Sequence, residues 1–125
     1  MYIYYNPNKR NKNAKDCVVR ALTLAVNKSW DDVYDELSNL GKYKGEWGCF
    51  STVWGPYLRK HNFKRRSIPD ICPDCYTFED FSNDHRYGVY VVATNSHVAT
   101  IIDGVIYDAW DSSNEIPEFY YFKEV

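Results

Sequence analysis

Cysteines and histidines are the residues of this chain whose types and spacing bear most directly on chemistry. The cysteines are Cys17, Cys49, Cys72 and Cys75, and the histidines are His61, His85 and His97. Cys17 opens an apolar run that continues to Val26 with only Arg20 and Thr23 as polar interruptions. This run predicts a buried helix that begins at Cys17, with Asp16 as its N-cap. A thiol at that position lies at the positive end of the helix dipole, which favours the nucleophilic thiolate.

A nucleophilic cysteine needs a base within hydrogen-bond reach, and usually a third group that orients the base. His97 opens a predicted strand, and the dipeptide Asp103–Gly104 that follows is a strong signal for a two-residue hairpin turn. Counting pairs outward from that turn, His97 faces Trp110 and shares one face of the hairpin with Asp108. The register therefore selects Asp108 over Asp111 as the orienting carboxylate. It also places the Trp110 ring where it shields the His–Asp hydrogen bond from water.

The chain order of these groups resembles the papain-like cysteine peptidase superfamily, and the stretch from Asp108 to Trp110 is similar to its Asn-Ser-Trp element. Longer stretches resemble a group of small uncharacterised proteins encoded by phages and prophages. They are residues 16–21, 29–37, 72–75 and 97–112. The resemblance implies the papain-like half-barrel and a hydrolase that cleaves peptide, isopeptide or amide bonds through a thioester. In that hydrolase Cys17, His97 and Asp108 form the catalytic triad.

One position departs from the papain-like pattern. Those enzymes usually donate one oxyanion hydrogen bond from a Gln that shortly precedes the Cys, and this chain contains no Gln. Asn11 and Asn13 precede Cys17 closely enough that either amide can donate the same N–H on a shorter arm. The backbone N–H of Cys17 supplies the second donor. Loss of one such donor typically costs about 10²–10³-fold in rate, so this position determines how fast the site is.

Cys72 and Cys75 have the spacing of a redox motif or of half a zinc site. A four-coordinate zinc needs two more ligands, for which Cys49 with His61 or His85 are weak candidates. We interpret Cys72 and Cys75 as part of a structural loop, with zinc and redox roles as alternatives, and Cys49 as a packing residue. The triad requires no cofactor. Two alternative functions stay open: a catalytically silent papain-like protein that binds a host factor, and a small zinc-bound interaction module.

Further elements of the chain predict an α+β fold, with helices first and strands later. Helices are expected over residues 29–41 and 51–61, with Ser29 as an N-cap and Pro56 near the start of the later helix, and from Thr77 through Phe81. Strands are expected over residues 89–94, 97–102, 105–110 and 118–125. The basic segment from Arg59 to Arg66 is expected to be an exposed loop. The predicted fold is a buried central helix packed on a C-terminal antiparallel sheet.

The length, composition and net charge of the chain exclude several classes of protein. The 125 residues suit a single domain over 1–125, and 45% hydrophobic with 18% aromatic residues is too apolar for a disordered chain. A net charge of −2 argues against a dedicated nucleic-acid binder. No apolar run approaches the roughly 18 residues of a membrane helix, and the first residues lack the features of a signal peptide. The expected partner is a protein or peptide substrate, and the expected location is the cytoplasm, that of the host bacterium if a phage encodes the chain.

Overall fold

The computed structural model describes residues 1–10, 15–68 and 76–124, and within these ranges the chain forms four helices and a six-stranded sheet. The helices are α1 (Cys17–Val26), α2 (Trp30–Lys44), α3 (Ser51–Lys60) and α4 (Phe78–Asp84). The strands are β1 (Tyr2–Tyr4), β2 (Phe63–Ser67), β3 (Val89–Ala93), β4 (Val98–Ile102), β5 (Val105–Asp108) and β6 (Phe119–Lys123). The fold class is α+β, as predicted. No helix in the described ranges is long and apolar enough to cross a membrane.

The sheet is mixed, with the strand order β1-β5-β4-β3-β6-β2. Each neighbouring pair is antiparallel except β1 and β5, which run parallel. The predicted antiparallel sheet is confirmed for the C-terminal strands β3 to β6. It is wrong at the two edges, because β1 and β2 come from earlier parts of the chain and β1 is parallel to its neighbour. The described strands form an open sheet and do not close on themselves.

Helix α1 packs on one face of this sheet and has the bounds predicted for it. Val18 and Leu22 of α1 belong to a core that also includes side chains from α2, α3 and the strands. A second apolar cluster covers the opposite face, where Phe78 and Phe81 of α4 pack on Ile101 and other strand residues. The sheet is therefore buried on both faces, and its strands carry apolar side chains at successive positions.

Two helices differ in detail from their predictions. α2 continues past Gly41 to Lys44, and its C-cap is Gly45, whose φ of 73° is a left-handed conformation that glycine adopts without strain. Pro56 lies inside α3 rather than near its start, where it has no N–H to offer the Thr52 carbonyl. Lys44 Nζ donates to that carbonyl instead, at 2.8 Å. The lysine at the end of α2 thus replaces the hydrogen bond that proline removes from α3.

The segment expected to be a basic loop contains the edge strand β2, which pairs with β6. The Arg65 and Arg66 guanidinium groups lie over the rings of Phe119 and Phe122 of β6, at 4.4 and 4.9 Å from the ring centres. Lys64 Nζ forms an ion pair with Glu124 at 2.8 Å. The loop prediction is wrong because only Phe63 of this edge strand is buried, and the polar, exposed residues after it show no apolar alternation.

Candidate active site

The hairpin of β4 and β5 brings His97 and Asp108 together. Its turn, Asp103–Gly104, has positive φ at both residues and pairs Ile102 with Val105, which confirms the predicted register. His97 directly precedes β4, and Asp108 ends β5. The His97 Nε2 atom lies 2.6 Å from Asp108 Oδ2, and both side chains are buried. The predicted contact between these two residues is therefore confirmed.

The neighbours of Asp108 along the chain have separate positions. Asp111 is exposed and accepts hydrogen bonds from Ser113, so it takes no part in orienting His97. The Trp110 ring lies against the imidazole of His97, with 4.6 Å between ring centres, although the tryptophan remains 45% exposed. Phe78 of α4 adds a second, nearly parallel ring at 6.5 Å from the imidazole. Aromatic rings therefore restrict the access of water to the His–Asp pair.

Cys17, at the first position of α1, lies beside the His97 imidazole, and each of the two groups shifts the pKa of the other. Because Nε2 of that imidazole is engaged by Asp108, Nδ1 is the ring nitrogen that faces the thiol. The backbone of Val98 also lies close enough to the thiol to lower its pKa. Cys17 and His97 both line a cleft of about 830 Å³, which also contacts Phe50 and Glu118. The thiol therefore lies beside the beginning of β4 and lines a cleft that a ligand can enter.

The pKa values of these groups are displaced towards an ion pair. Burial raises the pKa of the Cys17 thiol, but hydrogen bonds from His97 and Val98 outweigh it, and the net pKa lies below its usual value. Burial lowers the pKa of His97, but hydrogen bonds with Asp108 and Cys17 raise it to about 9. Burial raises the pKa of Asp108, and the bonds from His97 and Ser112 bring it below the usual range. These directions favour a thiolate beside an imidazolium near neutral pH.

A buried cation connects this pair to the beginning of α1. The Nη2 atom of Arg20 donates to Asp108 Oδ1 at 3.3 Å, and its Nη1 atom donates to Asp16 Oδ1. The other oxygen of Asp16 accepts from Trp30 Nε1 at 2.9 Å. Asp16, Arg20 and Asp108 are all buried. A hydrogen-bonded chain therefore runs from Trp30 on α2 through two carboxylates and a guanidinium to His97.

Several of these roles were missed in the sequence. Asp16 was predicted to cap α1, but within the described part of the chain its side chain makes no capping bond, because Arg20 and Trp30 engage both oxygens. Nothing in the sequence marks Ser112, whose Oγ donates to Asp108 Oδ2 at 2.7 Å. Arg20 was available as a signal, because a charged residue in an otherwise apolar buried helix requires a buried partner.

Other residues singled out in the sequence lie elsewhere. Asn11 and Asn13, the predicted oxyanion donors, are outside the described residues, as are the weak metal candidates Cys72 and Cys75. Cys49 was predicted to be a packing residue, and this is wrong. It is exposed and borders the cleft at Cys17, because it lies in the connection between α2 and α3 and not on the buried side of either helix.

The two remaining histidines occupy equivalent positions at helix ends. Nδ1 of His61 lies 2.8 Å from the Tyr57 carbonyl, and Nδ1 of His85 lies 2.9 Å from the Phe81 carbonyl. Each imidazole also packs against the ring of the same aromatic residue. Both histidines therefore terminate helices and are separate from the Cys17 site. Among the described His, Cys, Asp and Glu residues, no group of three or more is arranged to hold a metal ion.

Comparison with protein-family models, curated proteins and solved structures finds no match for this chain. The geometry of the site supplies a thiol at a helix N-terminus, an imidazole in contact with it, and a buried carboxylate that fixes the imidazole. These are the parts that nucleophilic catalysis by cysteine requires.

Proposed function

We propose that this protein is a papain-like cysteine hydrolase that cleaves a peptide, isopeptide or amide bond. The observation that carries the proposal is the continuous contact from Cys17 through His97 to Asp108, with 2.6 Å between the imidazole and the carboxylate. The direction of each pKa displacement supports the same assignment, because perturbed groups that share a cleft are typical of catalytic sites.

In the first step, the Cys17 thiolate attacks the substrate carbonyl carbon, so that a carbon–sulfur bond forms and the carbonyl electron pair moves to oxygen. The Cys17 backbone N–H lies in the first turn of α1, where helix geometry provides no intrahelical acceptor. It donates to the oxyanion, and Asn11 or Asn13 provides the second donor. Hydrogen bonds from these two N–H groups stabilise the negative charge that develops on the substrate oxygen.

In the second step, the carbon–nitrogen bond breaks, and the His97 imidazolium gives its Nδ1 proton to the leaving amine. The product is a thioester on Cys17. Neutral His97 then takes a proton from water, and the resulting hydroxide attacks the thioester carbon. The acid product leaves, which restores the thiolate beside the imidazolium. Throughout, Asp108 accepts from Nε2–H and fixes the tautomer and orientation of the ring.

We also propose a papain-like fold for the chain and a bacterial cytoplasm as the location of the reaction. A helix that presents its first residue to a hairpin carrying His97 and Asp108 agrees with the layout that the papain-like resemblance implies. The same resemblance suggests a phage-encoded enzyme that acts on a protein or peptide in the cytoplasm of its bacterial host. A non-catalytic role for this scaffold, in binding a host factor, is the competing function.

Iodoacetamide alkylation followed by peptide mass spectrometry tests the catalytic assignment. Near neutral pH we expect Cys17 to react at least about tenfold faster than the more exposed Cys49, because only the thiolate is nucleophilic. The His97→Ala variant should slow the alkylation of Cys17 to the rate of an ordinary thiol. The matched control His61→Ala removes a histidine outside the site and should leave the rate unchanged. Equal, slow labelling of Cys17 and Cys49 would contradict the hydrolase and favour the binding function.

A further inference from the structure

A second cavity adjoins the catalytic cleft. It has a volume of about 580 Å³ and lies between α2, the beginning of α1 and the segment around Asn8. Lys15 and Cys49 line both cavities, and the adjacent residues Asp16 and Cys17 line one each. The two cavities are therefore contiguous on one face of the molecule. A peptide that crosses the ridge between them brings its backbone to the Cys17 thiol.

Aromatic rings dominate the wall of this second cavity. The rings of Trp30 and Tyr34 are stacked, with 5.1 Å between centres and 17° between planes. Trp47 also lines the cavity and is 75% exposed, while Val19 and Leu37 add apolar surface. Exposed aromatic surface beside a reactive thiol is costly to leave in water and is typical of a site that receives an apolar group.

Cationic side chains are found in the same lining. They are Arg10, Lys15 and Lys42. Two acidic residues also line the cavity, but both carboxylates are already engaged. Asp16 accepts from Arg20 and Trp30, and Glu46 accepts from Thr52. Arg10 is itself paired with Asp31 at 3.1 Å and lies over the Trp30 ring. The cavity therefore combines apolar walls with the positive charge of Lys15 and Lys42, which can face a ligand carboxylate.

We propose that this cavity is a specificity subsite for an aromatic side chain of a peptide that carries an acidic residue next to it. The aromatic ring packs against Trp47 and the stacked pair, and the carboxylate lies near Lys42 and Lys15. This subsite would select the substrate of the proposed hydrolase, and the link between peptide binding and cleavage rests on that proposed function. A peptide is favoured over a nucleic acid because the cavity adjoins a site for amide chemistry and the chain has a net charge of −2.

Peptide binding to the Cys17→Ala variant tests the subsite without requiring catalysis. The probes are short acetylated and amidated peptides that contain phenylalanine next to aspartate, or alanine next to lysine in the same positions. Isothermal titration calorimetry measures each affinity. We expect only the phenylalanine–aspartate peptide to bind, and we expect added salt to weaken its binding. The activity of the hydrolase does not enter this measurement, so a failed alkylation test and a failed binding test are distinguishable.

Three substitutions in that same Cys17→Ala background locate the peptide. Trp47→Ala should weaken binding by about fivefold, because one aromatic contact is lost. Lys42→Glu should weaken binding by at least about threefold and remove most of its salt dependence. Tyr43→Ala is the matched control, because Tyr43 is an 89% exposed aromatic residue of α2 that does not line the described cavity. It should bind the peptide unchanged.

Several results would overturn the subsite. Equal affinity for the two peptides would show that the cavity recognises neither the ring nor the carboxylate. An effect of Tyr43→Ala as large as that of Trp47→Ala would show that the peptide lies outside the cavity. Displacement of the peptide by a short single-stranded oligonucleotide of higher affinity would assign the aromatic and cationic surface to nucleic acid. Trp47 and Lys42 are surface substitutions, and circular dichroism melting confirms that each variant is folded.

Discussion

Arg20 holds two buried carboxylates in place at once. Its guanidinium contacts Asp16 on one side and Asp108 on the other, and all three side chains are excluded from solvent. A planar group with several fixed donors can bridge two carboxylates in this way, whereas an ammonium group is a single point of charge. Removal of the cation would leave two negative charges in a poorly solvated interior. The site is therefore more dependent on Arg20 than on any exposed ion pair.

Replacement of Arg20 should strongly destabilise the protein. We expect Arg20→Met to lower the free energy of unfolding by about 3–5 kcal/mol, because breaking a buried ion pair leaves charge uncompensated. Arg20→Lys should recover part of this loss. The control Lys64→Met breaks the exposed pair with Glu124 and should cost about 0–1 kcal/mol. Urea denaturation measures all three. Similar losses for Arg20→Met and Lys64→Met would contradict the bridging role.

The protonation of His97 depends on Asp108. Burial alone lowers the pKa of His97, and the hydrogen bond to Asp108 leads the effects that raise it to about 9. In Asp108→Asn the neutral amide can still accept a hydrogen bond but no longer supplies charge. We expect the pKa of His97 to fall by about 1 or more, as followed by NMR of its Cε1 proton. Asp111→Asn is the matched control at an exposed aspartate and should leave the titration unchanged. An unaltered titration in Asp108→Asn would refute the coupling.

Helix α1 and the β4–β5 hairpin were predictable because their signals are local. The apolar run after Asp16 determines the bounds of α1, and the Asp103–Gly104 turn determines which strand residues face each other. The contact between His97 and Asp108 follows from that register alone. The order of strands in the sheet was not predictable in the same way. β1 pairs with β5, which lies near the other end of the chain, and the three residues of β1 are too few to show a distinctive pattern.

At the level of individual residues, the sequence predicted the three groups that the candidate site brings together and missed those that support them. Cys17, His97 and Asp108 have types that suggest chemistry. Arg20 and Ser112 have ordinary types. The role of Arg20 depends on α1 packing near Asp108, which is a tertiary contact, and that of Ser112 depends on the conformation of the loop that follows β5. The sequence is compatible with two roles of Asp16, as the cap of α1 or as the partner of Arg20, because both roles use the same carboxylate.

The packing of α3 on β6 leaves no space at Gly55. A Cβ atom built there would lie 2.6 Å from the Tyr121 hydroxyl oxygen and 3.5 Å from the ring carbon that bears it. Gly to Ala inside a helix ordinarily stabilises by up to about 1 kcal/mol. Here we expect Gly55→Ala to destabilise by about 1–3 kcal/mol, because the added methyl overpacks the core.

A double-mutant cycle isolates that contact. In the Tyr121→Phe background the hydroxyl is absent, and the remaining ring carbon is at an ordinary van der Waals distance from the new methyl. Gly55→Ala should then be close to neutral or stabilising in urea denaturation. An equal cost of Gly55→Ala in both backgrounds would mean that α3 is constrained by something other than Tyr121.

The whole molecule should show a distinctive dependence of stability on pH. The raised pKa of His97 contributes stability that is full below about 6.5 and is lost as pH rises through about 9. The lowered pKa of Cys17 contributes stability that is full above 9.0 and is lost as pH falls through that lowered value. Between the lowered pKa of Cys17 and about 9, the two slopes oppose each other, so the free energy of unfolding should be nearly flat.

Cys17→Ala removes one of these slopes. The pKa of His97 remains raised by Asp108, so the free energy of unfolding of this variant should decline as pH increases above about 6.5. Urea denaturation at several pH values compares it with the unsubstituted protein. Cys49→Ala, which changes an exposed thiol, is the control and should keep the flat profile. Parallel profiles for Cys17→Ala and the unsubstituted protein would mean that the thiol and imidazole titrate independently.

The basic edge strand β2 affects how copies of the molecule meet at high concentration. An open sheet offers unpaired backbone groups at its edges, and such edges extend readily into another chain. A second copy that paired with β2 through its own β2 would bring Lys64, Arg65 and Arg66 of both molecules together, because these residues are consecutive in the strand. Their like charges would repel each other. The second copy would also compete for the cations that cover the Phe119 and Phe122 rings. The basic residues Lys64, Arg65 and Arg66 give β2 no strand-like pattern in the sequence. The same residues oppose edge-to-edge aggregation at this side of the sheet.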